Sequence, residues 1–221
     1  MRTNLALTGA HTGMAPTDGR AQALSFVLAL IASVLFVCAV IYLEVRMLGG
    51  TMSEGGLVES VQALLIALCS LTFFLGAHRH PDQRGYLILV AALFLCMFVR
   101  ENDRVLDQIA HGFWSVPTLL IIAATVVAVA KDRATLLNPL YIHSQRGSFW
   151  VLAVGFVQLI VFSRLFGSGL LWDHSAMQAG SDVAKRIVQE GTELSSYALI
   201  LTGAFMSFET RFGSAAAGPG E

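Results

Sequence analysis

Long uninterrupted apolar blocks constrain this chain more than any other feature. Residues 21–43 carry no formal charge. Similar blocks follow at 57–77, 85–99, 113–130, from 148 onward, and at 187–208. A run of ~18 or more apolar residues reads as a transmembrane helix, and ~20 residues at 1.5 Å rise match a ~30 Å hydrocarbon core. Inside lipid a helix satisfies its backbone groups without outside partners. Composition agrees: 55% of residues are hydrophobic and 13% are charged, about half the charged share of roughly 25% in soluble domains. The expected fold class is therefore an all-α integral membrane protein, a six-transmembrane-helix bundle. Residues 21–208 would form one domain, flanked by disordered cytoplasmic tails at 1–20 and 209–221.

Turn residues support the division. Gly49-Gly50 and Gly55-Gly56 bracket a break after the first block. His80-Pro81-Asp82 and Asn138-Pro139 read as loops, because the residue before proline is pushed out of the helical region. Gly167-Ser168-Gly169 ends the fifth block, and Pro117 falls near the start of the fourth, where its missing N–H costs least. Trp114, Trp150 and Trp172 sit near block ends, as interfacial aromatics do. Cys38, Cys69 and Cys96 lie inside apolar blocks and read as buried packing residues.

Arg and Lys in the short loops favour both termini in the cytoplasm, with the chain multi-pass in the inner membrane, since outer membranes favour barrels. The lipid bilayer is the first partner. A net charge of −1 gives no field for nucleic acid. A second membrane protein or a second copy of this chain is the other partner class.

In this orientation ten of the fifteen acids lie toward the outer face: Glu44, Glu54, Glu59, Glu101, Asp103, Asp107, Asp173, Asp182, Glu190 and Glu193. Some are below the surface. At 1.5 Å per residue Arg100 is about 22 Å above Gly85, and Glu193 about 22 Å above Phe208. Ionisable groups at such depth face the bundle interior or water and find partners. The expected cluster is Glu59, Arg100, Glu101, Asp103, Arg104, Asp107, Arg164, Glu190 and Glu193. Arg100, Asp103, Arg104 and Asp107 would form one alternating-sign stripe if the third helix continues past the membrane. Arg100 and Arg164 are the expected cations for Glu190 and Glu193, which gives an ion-pair network uniting four spans.

Three functions fit this cluster. The first is structural: the ion pairs fix helix register in an assembly or partner-binding subunit. The second is ion- or proton-coupled transport, with Glu59, Glu190 and Glu193 as a relay that Gln158 extends inward. The third is a metal-dependent enzyme at the outer surface. Asp107, His111, Glu190 and Glu193 are its candidate ligands, aided by His174 beside Asp173. No HExxH, phosphate loop, dinucleotide fingerprint or haem-attachment motif is present. Ser163, Ser195 and Ser196 lack a base at readable spacing. The cofactor and the reaction stay open at this level.

Overall fold

The computed structural model describes residues 19–49, 55–131, 133–168, 172 and 181–208. The tails expected at 1–20 and 209–221 fall almost wholly outside the described residues, as do Glu54, Asp132, Asp173 and His174. Every regular element among the described residues is helical. Helix α1 spans Gly19–Tyr42 and widens into a π-helical turn over Leu43–Met47. Helices α2 (Leu57–Arg79) and α3 (Arg84–Glu101) are joined by a 3₁₀ turn at Pro81–Gln83. A single turn, α4 (Asp103–Leu106), precedes α5 (Ser115–Lys131) and α6 (Ala134–Ser144). Helix α7 (Gly147–Val157) passes through a π-helical stretch at Gln158–Ser163 into α8 (Arg164–Gly167), and α9 covers Ser181–Phe208.

Four helical segments are long and apolar enough to cross a membrane: Ala23–Met47, Leu57–Arg79, Pro81–Glu101 and Gly147–Gly167. Ser115–Lys131 and Ala134–Ser144 meet the same test together, but with a bend of 98° between them. The chain is thus a helical membrane protein with four or five candidate spans of this kind, where the sequence suggested six. The difference lies in the bent α5–α6 pair and in α9, whose first half carries Asp182, Lys185, Arg186, Glu190 and Glu193. From Leu194 to its end α9 has no formal charge.

Helices α2, α3 and α9 form the centre. Ile66, Cys69 and Phe73 of α2 meet Leu87 and Phe94 of α3, and Leu194, Ile200 and Ala204 of α9 close the core. Phe73 stacks on Phe94 at 5.9 Å and takes the edge of Phe208 at 5.5 Å. Ser70 donates to the Ala91 carbonyl at 2.9 Å, a polar tie between α2 and α3. Helix α1 packs mainly on α9, α5 on α3, and α7 on α9. Small residues set the last contact: a side chain at Gly155 or Gly203 would meet backbone atoms of the facing helix.

Three local expectations change. Asn138-Pro139 lies inside α6, not in a loop. Pro139 is the sixth residue of α6, so the helix forgoes one i→i−4 hydrogen bond there and continues past it. Cys38 faces outward, while Cys69 is buried as expected and Cys96 is half-buried. The α3 helix ends at Glu101 with Asn102 capping its Phe98 carbonyl through the side chain at 2.8 Å, so the continuous charged stripe is interrupted.

At the end opposite the acids, α6 is tied to the α2–α3 turn. His143 is buried, stacks on Tyr86 at 4.8 Å, and donates from Nε2 to Gln83 Oε1 at 2.8 Å. Gln83→Leu removes the acceptor and strands a buried N–H, a loss of about 1–3 kcal/mol. Thermal unfolding in detergent should show the fall. An unchanged melting temperature would mean that this tie does not hold α6.

Candidate functional site

The acids gather where six helical elements end together. Glu44 closes α1, Glu59 opens α2, Glu101 closes α3, and Asp103 and Arg104 stand on α4. Arg164 opens α8, and α9 brings Arg186, Gln189, Glu190 and Glu193. Between them lies an open cavity of about 840 Å³. All nine residues of the expected cluster line it: Glu59, Arg100, Glu101, Asp103, Arg104, Asp107, Arg164, Glu190 and Glu193. Glu44, Arg186 and Gln189 line it too.

The contacts inside the cluster differ from the expected network. Among the described residues the only Arg–carboxylate pair is Arg100–Asp103, one helical turn apart. Arg100 also lies over the Trp114 ring, 5.6 Å from its centroid. Arg164 has no carboxylate within 4 Å among the described residues, so it does not pair with Glu190 or Glu193. The expected cation partners are therefore not where the spacing put them. Sequence spacing orders residues along one helix, but it does not set the rotation of that helix against its neighbours.

Neutral groups hold the glutamates instead. Tyr197 of α9 donates to Glu101 Oε2 of α3 at 2.9 Å. Gln62 of α2 donates from Nε2 to the Glu190 backbone carbonyl at 3.1 Å and to Glu190 Oε2 at 3.2 Å. The Leu57 amide donates to Glu44 Oε2 at 2.7 Å, joining α2 to the end of α1. Gln189 donates to Glu193 Oε1 at 3.3 Å, and the Gly55 amide donates to Glu59. Each bond orients a carboxylate without cancelling its charge. Glu59, Glu101, Glu190 and Glu193 stand close enough to repel one another.

Backbone detail fixes two further side chains. Gly55 has φ +83°, a left-handed conformation that L side chains rarely adopt. A Cβ there would come 3.0 Å from the Arg104 guanidinium, so the glycine leaves room for Arg104 to lie against the loop. Gly167 does the same for Gln189, which would meet a Cβ at 2.8 Å.

The metal candidates do not converge. His111 is exposed and, among the described residues, pairs only with Asp107, Nδ1 to Oδ2 at 3.4 Å, while Asp107 also accepts from the Gly112 amide at 2.9 Å. His111 is not part of the cavity lining. Among the described residues no three His, Cys, Asp or Glu side chains are grouped to hold a metal ion. Gln158, expected to extend a path inward, is outside the lining and donates to Ser195 Oγ at 3.2 Å.

Sequence reasoning left Gln62, Gln189 and Tyr197 out of the cluster. Their signal was present as spacing. Gln62 stands one turn inward of Glu59, Gln189 one turn before Glu193, and Tyr197 one turn after it. Compared with known proteins, the chain matches no family model, no curated protein and no solved structure.

Proposed function

We propose that this protein is a six-span inner-membrane protein that binds a small water-soluble cation in its charged cavity. Helix α9 supplies the span beyond those recognisable by composition: its apolar half is packed in the core of the bundle, and its charged half carries Glu190 and Glu193 to the cavity. Both termini are then cytoplasmic, supported by Arg79, Arg84, Lys131, Arg133 and Arg146 near the end away from the cavity. The cavity opens to the other side.

One observation carries the reading. Glu59, Glu101, Glu190 and Glu193 share a roomy cavity, yet no Lys or Arg nitrogen among the described residues lies within 4 Å of any of them. A purely structural cluster would pair such charges, because unpaired like charges at a membrane boundary raise the energy of the fold. A carboxylate lining held in place by neutral donors is suited to accept a cation from solution. The volume is in the range of about 300–1,000 Å³ common for ligand sites. Binding from one face is favoured over a through-going path because the cavity lining stops short of Gln158.

Ethanolamine titrated against the purified protein at constant ionic strength should raise the melting temperature in a concentration-dependent way. A ligand that binds only the folded state stabilises it by about 2.7 kcal/mol at a hundred times its Kd. Ethylene glycol, of similar size and neutral, should have no effect. If both compounds leave the transition unmoved, the proposal fails.

A further inference from the structure

Exposure within the cavity is sorted by charge sign. Arg100, Arg104, Arg164 and Arg186 are exposed, whereas Glu44 is buried and Glu59, Glu101, Glu190 and Glu193 are half-buried. Guanidiniums therefore stand nearer solvent and glutamates nearer the protein interior. Arg104, Arg164 and Arg186 have no carboxylate within 4 Å among the described residues, so their planar donor forks remain open for an anion. Such forks match phosphate oxygens two at a time.

The inner part asks for a donor. Gln62 is wholly buried, and its Oε1 has no hydrogen-bond partner. The Glu190 backbone carbonyl can accept only from Nε2, which fixes the amide orientation. Oε1 is thus one amide width from the nitrogen that holds the Glu190 carboxylate. Gln62 is outside the cavity lining, so it is the carboxylates, and not this oxygen, that face a ligand, and acceptor-only groups favour one with several N–H donors. The lining contains no aromatic residue among those described. Quaternary ammonium groups are recognised by aromatic faces, so a primary ammonium fits better than a trimethylammonium.

Resting on the cation-binding reading above, we infer that the ligand is a zwitterion with a primary ammonium and a phosphate a few bonds away, of the phosphoethanolamine type. Its ammonium enters among Glu101, Glu190 and Glu193, and its phosphate stays at the rim on Arg104 and Arg186. The same chemistry is available as a phospholipid headgroup or as a free phosphorylated amine. The site stands at a membrane face, where both can reach it.

The test compares ethanolamine, O-phosphoethanolamine, phosphocholine and inorganic phosphate by calorimetry on the full chain in detergent, at constant ionic strength. O-Phosphoethanolamine should bind at least about tenfold more tightly than ethanolamine, as expected for added charge-assisted hydrogen bonds. Phosphocholine and inorganic phosphate should not match it. An Arg104→Gln/Arg186→Gln variant should lose that gain while still binding ethanolamine. Equal affinity for ethanolamine and O-phosphoethanolamine would overturn the zwitterion inference and leave the cation-binding reading standing. Phosphocholine binding as tightly as O-phosphoethanolamine would also overturn it. Failure of both amines would remove the two together. Native mass spectrometry with phosphatidylethanolamine and phosphatidylglycerol then separates the sources. Selective retention of the former supports a lipid headgroup, and retention of neither, beside tight O-phosphoethanolamine binding, supports the free compound.

Discussion

Gly203→Leu is expected to lower the melting temperature by several degrees or to prevent folding in detergent. Helices α7 and α9 touch through their backbones. A Cβ on Gly203 would come 2.8 Å from the Leu152 amide nitrogen and 3.0 Å from the Ser148 carbonyl oxygen. On the other side of the seam, a Cβ on Gly155 would come 2.9 Å from the Ser196 carbonyl oxygen. These are main-chain atoms, so relief requires the helices to separate. In lipid, helix association relies on close packing because the hydrocarbon is as apolar as the side chains. Overpacking of this kind costs about 1–3 kcal/mol, and leucine adds three further carbons to the clash. At about 2–4 °C per kcal/mol for a chain of this size, the shift is easily measured by thermal unfolding. Gly203→Ala should give a smaller fall of the same sign. Gly147→Ala is the control: its Cβ would find only a Phe26 ring carbon at 3.8 Å. Equal melting temperatures for all three variants and the parent would show that the two helices do not meet in this way.

The same seam shows what the sequence made legible. Apolar blocks marked the helices, and their ends were nearly right because charge, proline and glycine mark the membrane boundary locally. Gly155 and Gly203 sit on different helices, and nothing in either segment states that they face each other. The acids behaved likewise. Depth follows from counting along a helix, so all nine expected residues reached one cavity. Pairing depends on helix rotation, which the sequence carries only weakly when apolar residues surround the helix. Arg164 therefore reached the expected depth and missed the expected partner. Helix α9 was legible for a third reason: its apolar half and its charged half follow one another along the chain.

Replacing Glu101 and Glu190 together by glutamine should separate stability from binding. In an ion-pair network each carboxylate holds a desolvated cation, and removing one partner costs about 3–5 kcal/mol. Here the partners are the Tyr197 hydroxyl and the Gln62 amide, both neutral. Glutamine offers each a carbonyl oxygen as acceptor, so the ties between α3 and α9 and between α2 and α9 survive. Repulsion with Glu59 and Glu193 falls at the same time. The melting temperature of Glu101→Gln/Glu190→Gln should therefore equal or exceed that of the parent. Ethanolamine should meanwhile bind about a hundredfold more weakly or not at all, because two charge-assisted contacts to its ammonium are lost. A marked loss of stability would instead favour the structural reading of the cluster, in which the carboxylates hold the fold. Unchanged stability with unchanged binding would place the cation elsewhere on the protein. Only the combination of retained stability and lost binding is expected if neutral donors position these glutamates for a charge that comes from solution.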